Sequence, residues 1–337
     1  MTELKNKLVV SASPHFRSKD TTRGIMLDVI IAMLPALVAS GVLFGYRAIT
    51  LTAVSVISCV LFEYLSRKVM KRHNTIGDLS AVVTGMLLAF NLPSTMPYWM
   101  VVIGAFTAIV IAKQFFGGIG QNFVNPALIG RIVLMASFPT QIGGFIAPFA
   151  YKNTVDAVTT ATPLAQMASS SVYDGAAVES AGLPTLLQMF LGVKGGCLGE
   201  VCIAALLIGF VYLLIRRVIS PVIPLVYMGT VAVIMLIAGK GSINFMLYQL
   251  MAGGLVLGAV FMATDYTTSP VSVKGKIIYA LGCGIITSLI RIFGSLPEGV
   301  SFSIILMNIL VPHIEHLTTP RPFGEVKEKK KKEAQAK

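Results

Sequence analysis

Charged residues are scarce in this chain. Asp, Glu, Lys and Arg together make up only 12% of its 337 residues, whereas 55% are hydrophobic, and the mean hydropathy is +0.79. A soluble globular domain carries about 25% charged residues. The deficit therefore excludes an ordinary water-soluble domain and indicates that lipid is the main solvent of the chain.

Sequence signals for metal and nucleotide binding are also scarce. His313 and His316 have no third ligand near them in the sequence, and the four cysteines contain no Cys-x-x-Cys pair. A glycine-rich phosphate loop of the Walker type is missing as well. We therefore predict no metal site and no nucleotide-binding domain. A single cysteine that joins an iron–sulfur centre shared with another protein of a complex remains an alternative.

Apolar runs long enough to cross a bilayer recur about ten times along the chain. They predict an all-α polytopic membrane protein with about ten transmembrane helices. The runs cover roughly 24–46, 48–66, 77–92, 98–113, 126–139, 199–216, 220–239, 243–264, 276–293 and 299–315.

The positions of the basic residues predict the topology. Lys and Arg cluster before the first run, after the second run and in the KEKKKK tail. Both termini are therefore expected on the cytoplasmic side, and the membrane is expected to be the inner or cytoplasmic membrane of the cell. The net charge of +12 favours anionic lipid as a partner, not nucleic acid. The predicted divisions are a cytoplasmic segment 1–23, a first transmembrane repeat 24–139, an extracytoplasmic loop 140–198, a second repeat 199–315 and a basic tail 316–337.

The two repeats contain matched polar breaks, NLPSTMP at 91–97 and TDYTTSP at 264–270. Because each repeat has an odd number of spans, about five, the halves must face opposite ways, and interrupted helices in such inverted repeats leave free backbone groups at a buried site. The alternative is that the breaks merely end helices at the interface. The candidate residues for a ligand or ion site are Asn91, Pro93, Asn125, Arg131, Asp265, Thr267 and Thr268.

Five charged residues lie within or near the apolar runs: Asp28, Glu63, Lys113, Arg131 and Arg291. Charges in hydrocarbon tend to mark pathways or ligand sites. Glu63, Lys113 and Arg291 stand close enough to helix ends to extend their charged groups into the interface, which is how we interpret them. For Asp28 and Arg131 both a functional and a structural role stay open.

The loop 140–198 contains the sequence TVDAVTTATPLAQ at 154–166, with Asp156, Thr159, Thr160, Ala161 and Thr162. The pattern D-x-x-T-x-A-T resembles the acceptor motif for phosphoester-linked FMN, in which the final hydroxyl receives the flavin phosphate from an extracytoplasmic flavin transferase. Such a transfer needs an accessible hydroxyl, and Ala161 leaves space beside it. An ordinary Ser/Thr-rich turn is the alternative.

Several longer motifs strengthen this interpretation. Together they resemble the RnfD proteins of Rnf complexes, which are related to the NqrB proteins of the sodium-pumping NADH:quinone reductase. The similarity covers nearly the whole chain except its basic tail. The short N-terminal segment favours the RnfD type, and Thr160 departs from the small residue usual at its position. The motifs are SASPHFRSKDTTRGIMLDVIIAMLPAL, FFGGIGQNFVNPALIGR, MATDYTTSPV and GSLPEGVSFSIILMNILVPHIE.

The resemblance implies a flavin-carrying membrane component of an ion-translocating ferredoxin:NAD+ oxidoreductase, working with the A, B, C, E and G proteins of the Rnf complex. It implies covalent FMN on Thr162 and a second, non-covalent flavin, riboflavin, in the membrane part. We expect no turnover by the isolated chain. The alternatives are the NqrB protein of a Na+-translocating NADH:quinone reductase and a non-redox channel or secondary transporter.

Overall fold

The structure is a computed structural model that describes residues 20–152, 160–169, 183–294 and 298–319. Four of its helices are long and apolar enough to cross a membrane, and a bent pair, Ile243–Met251 and Leu255–Met262, makes up to five. Shorter apolar helices fill the other predicted runs. The prediction of an all-α polytopic membrane protein is confirmed, whereas the predicted inversion of the halves and the domain boundaries stay predictions.

The helices are numbered here in chain order. They are α1 (Thr22–Phe44), α2 (Tyr46–Val69), α3 (Ser80–Phe90), α4 (Tyr98–Gln114), α5 (Pro126–Ser137), α6 (Pro139–Ile142), α7 (Pro163–Ser169), α8 (Leu186–Leu191), α9 (Ile203–Ile215), α10 (Val222–Ala238), α11 (Ile243–Met251), α12 (Leu255–Met262), α13 (Val273–Phe293) and α14 (Val300–Thr318).

Two helices end inside the bundle, as the matched breaks predict. α3 ends at Phe90, and about 1.5 Å per residue makes its 11 residues too short to cross a bilayer. The segments 91–97 and 264–270 that follow α3 and α12 are both non-helical. The Asn91 side chain donates to the Met262 sulfur at 3.7 Å, so the two broken helices meet.

π-helical turns occur in both halves, at Thr107–Gln114 within α4 and at Gly258–Met262 within α12. A π turn leaves one extra residue in the helix and redirects the side chains that follow. Such turns occur often at functional sites. The second turn directly precedes the break at 264–270, whereas the first is separated from the break at 91–97 by the α-helical segment Tyr98–Phe106.

The connection between the halves is built into the bundle. The Leu198 and Gly199 amides donate to the carbonyls of Leu92 and Phe90 at 3.0 and 2.9 Å. A Cβ at Gly199 would lie 2.3 Å from the Phe90 side chain, so only glycine permits this approach. These bonds satisfy backbone groups that α3 leaves free where it ends.

The contact between α1 and α9 depends on another glycine. A Cβ at Gly209 would lie 2.1 Å from the Ala32 carbonyl oxygen. We expect Gly209→Ala to lower the free energy of unfolding by about 1–3 kcal/mol, the usual cost of overpacking. The measurement is the thermal unfolding midpoint in detergent.

Gly229 is the matched control because it lies in α10 with no atom within 4 Å of an added Cβ. Gly229→Ala is expected to be neutral or stabilising by up to about 1 kcal/mol, since alanine favours helix. Equal losses of stability in the two variants would contradict the proposed close approach.

Candidate functional site

A cavity of about 420 Å³ lies between α1, α3, α9, α12 and the loop that precedes α5. Its walls are mostly apolar, with Ile25, Met26, Leu87 and Phe261 among them. Residues with polar side chains also line it, and these are Thr22, Ser80, Thr84, Lys113, Asn122, Asn125, Thr264, Asp265, Tyr266 and Thr267. An apolar cleft with a few convergent polar groups is the usual form of a small-molecule site.

Lys113 is held in a buried ion pair at the edge of this cavity. Its Nζ lies 2.8 Å from Glu63 Oε2 and 2.6 Å from Ser80 Oγ. The Glu63 Oε1 atom accepts from Thr75 Oγ1 at 2.7 Å. The Lys113 and Glu63 side chains are only 2% and 0% exposed. Our interpretation that they reach toward the interface is wrong, because each has its counter-ion inside the bundle.

The second break contributes a carboxylate to the cavity. Asp265 Oδ2 accepts from the hydroxyls of Thr267 and Thr268 at 3.1 and 3.3 Å. Burial raises the pKa of the Asp265 carboxyl above its usual value, and the two threonine hydrogen bonds oppose that effect. Asn125 caps α5 by accepting from the Ala127 amide at 3.1 Å. Asp265, Thr267 and Asn125 line the same cavity.

One polar atom of the cavity wall has no partner. Asn122 Oδ1 is buried without a hydrogen bond, and the residue is 8% exposed. A buried unsatisfied oxygen costs about 1–3 kcal/mol, and this oxygen has almost no accessible surface of its own. Sequence reasoning missed Asn122, although it belongs to the glycine-rich GGIGQN segment that leads to Asn125.

The other predicted residues lie in a different place. Arg131 NH1 donates to Asn91 Oδ1 at 2.7 Å, and Arg131 NH2 pairs with Glu298. Pro93 follows Asn91 in the break, and none of Asn91, Pro93 or Arg131 lines the cavity. The prediction of a single site is corrected here: Asn125, Asp265 and Thr267 line the cavity, whereas Asn91 contacts Arg131 in a second, charged cluster. Pro93 and Thr268 line neither, although Thr268 donates to Asp265.

The charged cluster joins both halves to their connection. Its members are Arg131, Lys194, Glu200, Arg291 and Glu298. Lys194 donates to the Met251 carbonyl, and burial lowers its pKa to about 8. Arg291 donates to the Ala252 carbonyl at 3.0 Å, so it is buried and does not extend to the interface. Here too our interpretation is wrong, because a broken helix supplies carbonyls to it.

Among the described residues, Cys197, Glu200 and Glu298 place a potential metal-ligand atom each within 4.8 Å of one another. Arg131 already pairs with Glu298 and lies 4.0 Å from the Cys197 sulfur. The Arg131 guanidinium therefore already provides the positive charge that a metal ion would otherwise bring to these three ligand atoms. Glu200 and Glu298 were not predicted as site residues. Both lie beside apolar runs in the sequence, and that position could have indicated them.

The acceptor motif is partly outside the described residues, since Asp156 and Thr159 fall there. The Thr160 amide donates to the Phe145 carbonyl at 2.8 Å. Thr162 begins the short helix α7: its hydroxyl accepts from the Ala165 amide at 3.2 Å, and the residue is 7% exposed. The expectation of an accessible Thr162 hydroxyl is thus wrong for this conformation, because the hydroxyl is used as a helix cap.

Asp28, the remaining charged residue of the apolar runs, pairs with Arg216 at 3.2 Å and accepts from the Tyr212 hydroxyl at 2.8 Å. The pair ties α1 to the end of α9. It lies away from the cavity lining and the charged cluster, so a structural role accounts for Asp28.

Apolar helices, two broken helices that meet, and a cavity lined by apolar and polar side chains define a polytopic all-α membrane protein. The chain belongs to the NQR2, RnfD, RnfE family, whose model matches residues 9–324. The resemblance inferred from the sequence is therefore confirmed.

Three relatives have informative names. The chain is 48% identical to the D component of the Na+-translocating ferredoxin:NAD+ oxidoreductase complex of Acetobacterium woodii, over 97% of this chain and 98% of the relative. It is 43% identical to the D component of the proton-translocating ferredoxin:NAD+ oxidoreductase complex of Clostridium ljungdahlii, over 95% and 97%. The D component of the ion-translocating oxidoreductase complex of Stutzerimonas stutzeri is 37% identical over 89% and 91%.

Proposed function

We propose that this chain is the flavin-carrying membrane component of an ion-translocating ferredoxin:NAD+ oxidoreductase, which passes electrons across or along the cell membrane coupled to Na+ or H+ transport. The names of the relatives support the complex and the reaction. The observation that carries a ligand-binding role for this chain is the mostly apolar cavity whose lining includes the polar side chains of Asn125, Asp265 and Thr267.

A covalent FMN on Thr162 is the first proposed cofactor, attached by an extracytoplasmic flavin transferase. A flavin supplies steps between one- and two-electron chemistry. The acceptor segment lies close to Arg291 on one side and to the backbone at Gly195 on the other. A Cβ atom added to Gly253 would lie 3.4 Å from Leu164 and 3.3 Å from Arg291, so Leu164 and Arg291 are near each other. A Cβ atom added to Gly195, which follows Lys194 in the chain, would lie 2.9 Å from the Thr160 hydroxyl.

Riboflavin in the cavity is the second proposed cofactor. The volume of about 420 Å³ falls within the range of small-molecule sites. Lys113 is the one basic residue among those that line the cavity, and Glu63 already neutralises it. A doubly charged phosphate would therefore lack a counter-charge, whereas the phosphate-free flavin needs only hydrogen bonds, which Asn122 and Thr267 offer.

The A, B, C, E and G proteins of the Rnf complex are the proposed partners that bring electrons to this chain and remove them. The sequence contains no nucleotide-binding loop of the Walker type, and ferredoxin and NAD+ are expected at those partners. Anionic lipids are the proposed partners of the basic termini. We expect the isolated chain to show no ferredoxin:NAD+ turnover.

A flavin assay on the purified complex tests both cofactors. The band of this chain on a denaturing gel is expected to fluoresce because of the covalent FMN, and acid-denatured supernatant is expected to contain riboflavin in an amount equal to that of the chain. A dark band contradicts the covalent flavin. A supernatant without riboflavin contradicts the cavity assignment, independently of the first result.

A further inference from the structure

We propose that Lys113 makes the cavity selective for the reduced state of its flavin, by placing a fixed positive charge beside the site where negative charge accumulates. The inference rests on the proposed function, because it assigns a role toward the cavity flavin. It concerns a residue that positions charge and transfers no proton.

The ion pair has a fixed direction relative to the cavity. Lys113 and Ser80 line the cavity, whereas Glu63, whose carboxylate is fully buried behind the ammonium, does not. The pair is therefore a dipole whose positive end faces the ligand. Because Coulomb energy falls with distance, negative charge in the cavity is attracted by Lys113 more than it is repelled by Glu63.

The ammonium also retains a donor for the ligand. An ammonium has three N–H groups, and the described partners use two of them, Glu63 Oε2 at 2.8 Å and Ser80 Oγ at 2.6 Å. The π-helical turn at Thr107–Gln114 includes Lys113 and belongs to the irregular backbone beside the cavity.

The other charged group of the cavity lining is Asp265, and its carboxylate accepts from Thr267 and Thr268. The negative charge of Asp265 acts against the effect of Lys113, so Asp265 does not favour further negative charge in the cavity. Among the described lining residues, Lys113 is the one positively charged side chain. The neighbouring Cys59 thiol is buried and supplies no positive charge.

The charge balance is simple. A flavin bound here would gain one negative charge on accepting one electron without a proton, the electron being supplied from reduced ferredoxin through the partner proteins and passed on to the next carrier. Lys113 would face that charge and take no part in the transfer itself. The stabilisation of the reduced state raises the midpoint potential at which that electron is accepted.

The test is a redox titration of the non-covalent flavin in the intact complex, monitored by absorbance. Lys113→Met with Glu63→Gln removes both charges, so that neither remains unpaired. We expect affinity for the reduced state relative to the oxidised state to fall by at least tenfold, which is ~59 mV to lower potential for a one-electron step. The single variant Lys113→Arg keeps the positive charge, so its flavin is expected to have nearly the wild-type midpoint potential.

Lys274→Met controls for overall charge, because Lys274 is exposed at the start of α13. It is expected to leave the potential of the cavity flavin unchanged. If the double variant keeps its riboflavin at the wild-type potential, the role of Lys113 is overturned. If the wild-type complex releases no riboflavin, the cavity assignment itself fails, and the two failures are distinguished by that flavin content.

Discussion

Replacing Thr162 with alanine is expected to abolish flavin fluorescence in the band of this chain on a denaturing gel, because a phosphoester needs the hydroxyl oxygen. The same change removes the cap that Thr162 provides to the Ala165 amide. That loss costs about 1 kcal/mol, which is small enough for the protein to insert and fold. Electron transfer by the complex is expected to fall with the fluorescence.

Two variants separate attachment from local structure. Thr162→Ser keeps a hydroxyl and the cap, so it is expected to retain some flavin. Thr160→Ala removes the neighbouring hydroxyl, which is buried without a partner, and is expected to leave fluorescence intact. Fluorescence that persists in Thr162→Ala and disappears in Thr160→Ala would move the attachment to Thr160.

Removing the Arg131 guanidinium is expected to cost about 3–5 kcal/mol of stability, the usual effect of leaving a buried charge without its partner. Arg131→Met preserves much of the side-chain volume but leaves the Glu298 carboxylate and the Asn91 oxygen unpaired. The measurement is the unfolding midpoint of the purified protein in detergent, together with the yield of folded protein.

Arg216→Met is the matched control for this variant. Arg216 also pairs with a carboxylate, Asp28, but its side chain is 57% exposed. Pairs in contact with solvent contribute about 0–1 kcal/mol, so a small change is expected. Similar losses in the two variants would show that the charged cluster adds nothing beyond an ordinary surface pair.

Hydrophobic runs located the helices well because backbone groups in lipid must be satisfied within each span. The breaks after α3 and α12 were equally predictable, since polar residues and proline interrupt apolar sequence there. The partners of the charges were not. Lys113 and Glu63 are separated by 50 positions, and only the tertiary packing of α2 on α4 brings them together.

The division of the candidate residues between two places has a similar cause. Asn91 and Asp265 occupy equivalent breaks, so sequence symmetry suggested one site. The structure turns Asn91 toward Arg131 and leaves Asp265 on the cavity wall. Sequence periodicity does not encode such orientation, nor does it show that Thr162 caps α7.

The hydrogen bonds from Leu198 and Gly199 to the end of α3 constrain how the protein can move. The connection between the halves is bound to the first half by these hydrogen bonds and to the second half by the hydrogen bond from Lys194 to the Met251 carbonyl. Arg131 and Glu298 join the halves again nearby. Rocking of one repeat against the other, common in secondary transporters, would have to break all of these links. Any ion movement through this chain is therefore expected to proceed by small side-chain displacements within a stationary frame.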